Sequence, residues 1–235
     1  MTASPRRRSI WAGFIELVTA TDTLRVVANQ GFPSNTYLLA SSAPGRCVVI
    51  DPGLDSASLN RALNNAGWVP EAVLCTHGHF DHVGGAAEVQ TRYQIPVYLR
   101  AADVKTAKMS NFLMAAFKIE KRIELPEFHL IEGEDSSVQC GGRSFLFHSV
   151  PGHTLGSAAI EADGFLFSGD SLYARRIALS QLPGEDSATL RQSLRRLFTR
   201  IGGEVLVLPG HGGSATLKYI RENNLKLREF MAEPD

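Results

Sequence analysis

The feature that most narrows what this chain can fold into is Thr76-His77-Gly78-His79-Phe80-Asp81-His82, directly after the apolar run Ala72 to Thr76. Three imidazoles and a carboxylate fall within six positions. Imidazole nitrogen suits zinc, iron and similar metals, and carboxylate oxygen compensates their charge. On a loop leaving a strand, the alternate residues His77 and His79 can converge on one metal, while Asp81 and His82 face a neighbouring position. Gly78 is expected to allow tight backbone curvature between the first two ligands. At ordinary histidine frequency such a cluster is not a chance event.

Around this cluster, short apolar runs alternate with helical patterns. Leu24 to Ala28, Thr36 to Ala40, Cys47 to Asp51, Ala72 to Thr76, Val97 to Arg100, Phe145 to Val150, Ala158 to Glu161, Phe165 to Ser168 and Val205 to Leu208 read as strands. Helices are expected over Asp55 to Ala66, His82 to Tyr93, Ser187 to Arg200 and about Ala215 to Phe230. In the third of these, Leu190, Leu194, Leu197 and Phe198 build one apolar face, and its four arginines read as a solvated surface. Between Ala102 and Ile119, the residues Met109, Phe112, Leu113, Ala116 and Phe117 recur at helical spacing. That segment is either a helix packed on the core or a lid over a pocket. The reading is a single α/β domain over 24–235 with a helical insertion near 102–119, preceded by an extension at 1–23 that includes a possible first strand.

Further histidines and aspartates stand in strand-ending loops: Pro151-Gly152-His153-Thr154, Ser168-Gly169-Asp170 and Leu208-Pro209-Gly210-His211. Upstream, Val48-Val49-Ile50-Asp51-Pro52-Gly53 ends a strand in the same manner. Together with the His77–His82 cluster, these motifs resemble in type and order those of the metallo-β-lactamase superfamily, over about residues 24–225. The resemblance implies a four-layer αββα sandwich with a metal site at one edge of the two sheets. It also implies two divalent metal ions, zinc first, with iron or manganese as alternatives. His77, His79 and His153 would hold one and Asp81, His82 and His211 the other, with Asp170 bridging both. A hydroxide between the metals, held through Asp81 and Asp170, would be the nucleophile, since a zinc-type Lewis acid lowers the pKa of bound water to about 7. Asp51 is read equally as a partner orienting a ligand histidine or as a turn former. His129 and His148 match no motif.

Within that superfamily, Gly152-His153-Thr154-Leu155-Gly156 and Gly169-Asp170-Ser171-Leu172-Tyr173 are most similar to the glyoxalase II-like branch, which hydrolyses thioesters. Ser157, where that branch often has histidine, and Arg175 to Pro183, which lacks its G-R-x-D-x-P pattern, depart from it. A further helical domain for glutathione is not expected. The expectation is therefore a dinuclear hydrolase acting on a carbonyl, a thioester first. Lactone or ester hydrolysis at the same site, and a mononuclear iron persulfide dioxygenase, are the alternatives.

Charge settles the partner class. Lys+Arg and Asp+Glu number 24 each, for a formal net charge of +0, which does not suit a phosphate-backbone binder. A small-molecule substrate is expected, with no nucleic acid and no membrane. Cys47, Cys75 and Cys140 form no metal- or disulfide-type spacing and read as buried thiols of a cytoplasmic protein. The run Arg6-Arg7-Arg8 is followed by Glu16 and Asp22 rather than an apolar core, so no secretory signal is expected. Oligomeric state is left open by the sequence.

Overall fold

A computed structural model of the chain describes residues 14–15, 22–177 and 184–233. Most of the expected N-terminal extension and the 178–183 part of the stretch Arg175 to Pro183 lie outside the described residues. One sheet places β2 (Leu24–Ala28), β3 (Asn35–Ala40), β4 (Arg46–Ile50), β5 (Val69–Leu74), β6 (Val97–Arg100) and β7 (Phe128–Ile131) side by side in chain order. The other runs β1 (Phe14–Ile15), β13 (Ser214–Thr216), β12 (Leu206–Pro209), β11 (Phe165–Gly169), β10 (Ala158–Ala162), β9 (Arg143–Ser149) and β8 (Asp135–Cys140).

The period-two geometry of a strand explains why these runs are apolar on both sides. Tyr37 and Leu39, Val48 and Ile50, and Ala72 and Leu74 point toward the second sheet, where they meet Phe145, Phe147, Ile160, Phe167 and Leu208 in a central core. The alternate residues Leu38, Val49 and Val73 pack outward under α1 (Ala57–Ala66), α3 (Ala86–Tyr93) and α4 (Val104–Ala116), against Leu59, Leu63, Val89 and Met114. On the opposite side, Ala159, Leu166 and Val207 pack under α5 (Ser187–Arg200), α6 (Leu217–Asn223) and α7 (Leu225–Ala232). Helix, sheet, sheet, helix is the αββα sandwich the sequence led us to expect. Each fully buried Phe of the central core contributes about 1.5–3 kcal/mol of hydrophobic stabilisation.

Several elements differ from expectation, each for a local reason. The helix expected over His82 to Tyr93 is two helices, α2 (Phe80–Val83) and α3, separated by Gly84-Gly85. Asp81 and His82 therefore ride on a helical turn rather than an open loop. The closing helix is preceded by β13 and divided into α6 and α7 at Asn224, whose side chain caps α7 by accepting from the Leu227 amide. The edge strands β7 and β8 were not foreseen, because they alternate weakly: of the Asp135–Cys140 run only Val138 is buried. Arg191 on α5 is not on a solvated face. It is buried, its Nε donates to the Phe230 carbonyl, and its guanidinium lies 4.8 Å from the centre of the Phe230 ring. No helix among the described residues is long and apolar enough to cross a membrane.

Candidate metal centre

Parallel pairing of β4 with β5 and of β11 with β12 brings several chain segments out at the same rim of the sandwich. Asp51 follows β4, His77 and His79 follow β5, His153 follows β9, Asp170 follows β11 and His211 follows β12. His77 Nε2 and His153 Nε2 stand 3.1 and 3.0 Å from His79 Nδ1, so three ring nitrogens point at one spot. Beside them, His211 Nε2 lies 3.2 Å from Asp81 Oδ2 and 3.3 Å from Asp170 Oδ2. His82 Nε2 lies 3.5 Å from Asp81 Oδ2 and 3.5 Å from Asp170 Oδ1. Asp170 also stands 3.6 Å from His153 Nε2, which places it between the two groups. All seven residues proposed from the sequence are thus together. His129, whose ring lies tilted against that of Tyr98, and His148, paired with Glu161, are not among them.

The donor atoms suit a cation. His82 Nε2 and Asp170 Oδ1 are buried and have no hydrogen-bond partner, a costly state for polar atoms with nothing to bind. Three sets of donors lie within 4.8 Å of one another: His77, His79 and His153; His77, His82 and Asp170; and Asp81, His82 and His211. Nitrogen-rich and mixed nitrogen–oxygen sets of this kind match borderline divalent metals.

Charge balance within the site follows its neighbours. Burial holds His77 well below the usual imidazole range and His79 down at about 4, with nearby imidazoles adding to the effect. Burial also opposes charge on His82, but the carboxylates of Asp81, Asp170 and Asp51 outweigh it and raise the ring to about 9. His211 is raised to about 10 in the same way by its bonds to Asp170 and Asp81. Burial disfavours the Asp170 carboxylate, yet His82, His211 and His153 hold it well below the usual range.

A second layer of side chains fixes the ring orientations. Asp51, in the left-handed region at φ 51°, receives the Thr76 amide at 2.8 Å and the Thr76 hydroxyl at 2.7 Å. It also stands 2.9 Å from His82 Nδ1. Asp51 is therefore both a turn former and a histidine partner. Glu185 does for His153 what Asp51 does for His82, 3.0 Å from its Nδ1. Sequence reading missed Glu185; the signal was its place just before Asp186, the side-chain cap of α5. Asn35 and Tyr37 of β3 hold the Pro209 carbonyl, two residues before His211, at 3.0 and 2.6 Å.

Asp103 was also missed. It is fully buried at the start of α4 and accepts from the Gly78 amide (2.5 Å), the Gly156 amide (3.1 Å), Thr154 Oγ1 (3.0 Å) and Thr106 Oγ1 (2.9 Å). One carboxylate thus ties the His77–His79 loop and the His153 loop to one helix. Gly78 has no left-handed backbone; what it supplies is room, since a Cβ there would sit 2.7 Å from Asp103 O and Ala107 N. Gly156 is equally confined, 2.4 Å from the Asp103 Cβ.

Above the site opens a cleft of about 450 Å³, floored by His79, Asp81, His153, Asp170 and His211. Phe32, Phe80 and Phe117, with Phe80 in contact with both others, line it together with Leu113, as do Tyr173, the Arg176 packed on its ring, and Ile177. The helix expected over 102–119 therefore serves both readings: Met114 is in the core, whereas Leu113 and Phe117 face the cleft.

Comparison with known proteins agrees with this geometry. The family model described as the metallo-beta-lactamase superfamily matches residues 29–211, which contain every one of these donors. The chain belongs to the metallo-beta-lactamase superfamily. It is 30% identical over 202 residues to the probable metallo-hydrolase YqgX of Bacillus subtilis (strain 168), covering 84% of this chain and 93% of that one. It is 33% identical over 188 residues to a hydroxyacylglutathione hydrolase of Xanthomonas axonopodis pv. citri (strain 306), covering 80% of this chain but 65% of that protein. The crystal structure of TTHA1623 in a di-iron-bound form superposes with a TM-score of 0.74 and 30% identity, over 85% of this chain and 97% of that one. Superfamily membership and the cluster of donors make this a metallo-hydrolase-type protein.

Proposed function

We propose that the chain is a dinuclear metal-dependent hydrolase that cleaves a carbonyl substrate, a thioester first, in a small molecule. One observation carries the proposal: at the floor of an open cleft Asp170 stands between two donor groups, 3.6 Å from His153 Nε2 on one side and 3.5 and 3.3 Å from His82 Nε2 and His211 Nε2 on the other. His77, His79 and His153 would hold one ion, Asp81, His82 and His211 the other, and Asp170 both. When bound, two divalent ions supply Lewis-acid activation of water and polarise a carbonyl oxygen. Zinc is the first assignment, with iron or manganese as alternatives; the di-iron form of TTHA1623 favours testing iron.

The chain's own groups prepare that chemistry. Asp51 and Glu185 stand against His82 Nδ1 and His153 Nδ1, which turns each Nε2 toward the site, where it would be free to hold a metal. The Tyr173 hydroxyl is strongly held in its protonated form, by burial first and then by the charge of the Asp170 carboxylate. Phe32 and Phe80 close the apolar wall edge to face, with ring centres 5.1 Å apart, and shield the floor from bulk water. The similarity to a hydroxyacylglutathione hydrolase favours thioesters over lactones and other esters. A facial triad of two histidines and one carboxylate, the basis of the mononuclear iron alternative, leaves four of the seven clustered donors without a role.

Metal-reconstituted protein assayed against thioesters, lactones and phosphoesters tests the proposal. Metal-dependent turnover of thioesters supports it. Turnover of phosphoesters alone, or oxygen consumption with a persulfide, overturns it.

A further inference from the structure

The lining of the cleft is of two kinds. Phe32, Phe80 and Phe117 form a continuous aromatic tier, with Phe80 in contact with both others at centroid distances of 5.1 and 6.1 Å. Leu113 completes that wall. The same cleft carries Arg176, the one Lys or Arg among the described residues that line it. Its guanidinium lies 4.2 Å from the centre of the Tyr173 ring. No carboxylate of the described residues pairs with it, whereas most buried charges of this site are matched.

Arg176 is held ready rather than left loose. The buried Asn224 side chain donates to the Tyr173 carbonyl at 3.0 Å and to the Arg176 carbonyl at 3.1 Å, fixing both ends of the short turn that carries the arginine. Stacking on the ring occupies one face of the guanidinium and leaves its in-plane N–H groups available. Those groups match the paired oxygens of a carboxylate or a phosphate. A cation in a cleft that also holds an aromatic wall and the metal-binding floor selects a ligand with two unlike ends.

We propose that the cleft takes a carbonyl compound with an apolar arm and an anionic arm, carboxylate or phosphate, and that Arg176 binds the anion. For the carbonyl between the arms, the proposal rests on the hydrolase reading above. The apolar arm lies along Phe32, Phe80, Leu113 and Phe117, and the anionic arm reaches Arg176 over the Tyr173 ring. The scissile carbonyl then sits over the His and Asp floor.

The test uses metal-loaded full-length protein and thioethers, which resemble thioesters but cannot be cleaved. Three hexyl thioethers, ending in a hydroxyl, a carboxylate or a phosphate, are titrated calorimetrically into the wild type, Arg176→Gln and Arg176→Lys. The wild type should bind an anionic thioether about fivefold more tightly than the neutral one, the upper end for a solvent-exposed ion pair. Arg176→Gln should bring that ratio to near unity, and Arg176→Lys should retain part of it. Whichever anion shows the larger preference identifies the arm. Replacing hexyl with methyl should weaken binding more than about tenfold. An anion preference that survives in Arg176→Gln, its absence in the wild type, or indifference to chain length overturns the proposal. Turnover of the matching thioesters is scored separately. Failure there, with the binding pattern intact, overturns the hydrolase reading and not the ligand class.

Discussion

Replacement of Asp103 by asparagine isolates the residue that joins the two ligand loops. Its Oδ2 accepts from the Gly78 amide and Thr154 Oγ1, and its Oδ1 from the Gly156 amide and Thr106 Oγ1. Asparagine keeps the shape but turns one acceptor into a donor. A hydroxyl can rotate to accept instead; a backbone amide cannot. Whichever way the amide is turned, one buried N–H is left unpaired, at a cost of about 1–3 kcal/mol, and the remaining bonds lose their charge assistance. The whole change should destabilise the protein by about 2–4 kcal/mol. The consequence should be local too, because the freed amides belong to Gly78, between His77 and His79, and to Gly156, three residues after His153. Partners that orient ligands typically contribute 10–100-fold to metal affinity, so the dissociation constant should rise by about tenfold or more. Urea unfolding of the metal-free protein gives the first quantity, and competition with a chromophoric chelator gives the second. Asp55→Asn, in the half-buried turn before α1 and remote from these loops, serves as a control that should leave metal affinity unchanged. Lost stability with unchanged metal affinity would show that Asp103 supports the fold alone and would refute the reasoning.

Two further outcomes follow from burial. Phe112→Ala should change stability by less than about 0.5 kcal/mol and leave turnover unchanged, because that ring is 65% exposed and faces away from the cleft. Phe117→Ala, on the cleft wall, should alter substrate preference instead, as a panel of acyl chain lengths would show. The thiols set an alkaline limit. Burial, with Glu71 adding to it, pushes Cys47 up to about 12 from an ordinary 9.0, and burial raises Cys75 as well. Since the folded values are raised, this stabilisation is complete below pH 9 and is lost as pH rises toward 12. For Cys47 the loss is roughly 1.4 kcal/mol per pH unit. Denaturant midpoints at pH 8, 9 and 10 should fall less steeply in Cys47→Ala than in the wild type; equal slopes would count against it.

Much of this molecule is legible in its sequence because buried strands and metal ligands both leave strong local patterns. The runs around Val48, Val73 and Phe167 are apolar on both faces, as strands between a second sheet and a layer of helices must be. The seven ligand candidates stand out through residue type and through their position just after such runs. What stayed hidden is weakly patterned or long-range. The edge strand Asp135–Cys140 is too polar to announce itself, with one buried side chain. Asp103 and Glu185 look like ordinary acidic residues until folding sets them against Gly78 and His153, which are 25 and 32 positions away. Arg191 sits on a helix whose other arginines face outward, and only the approach of Phe230 and Glu233 explains its burial.

Metal stoichiometry bears most directly on the central claim that two donor groups share Asp170. Protein purified without chelator and analysed by inductively coupled plasma mass spectrometry should contain close to two divalent ions per chain. Asp170→Ala should contain one or fewer and show no metal-dependent turnover. A single iron per wild-type chain, or an Asp170→Ala variant with two ions and full activity, would contradict the account.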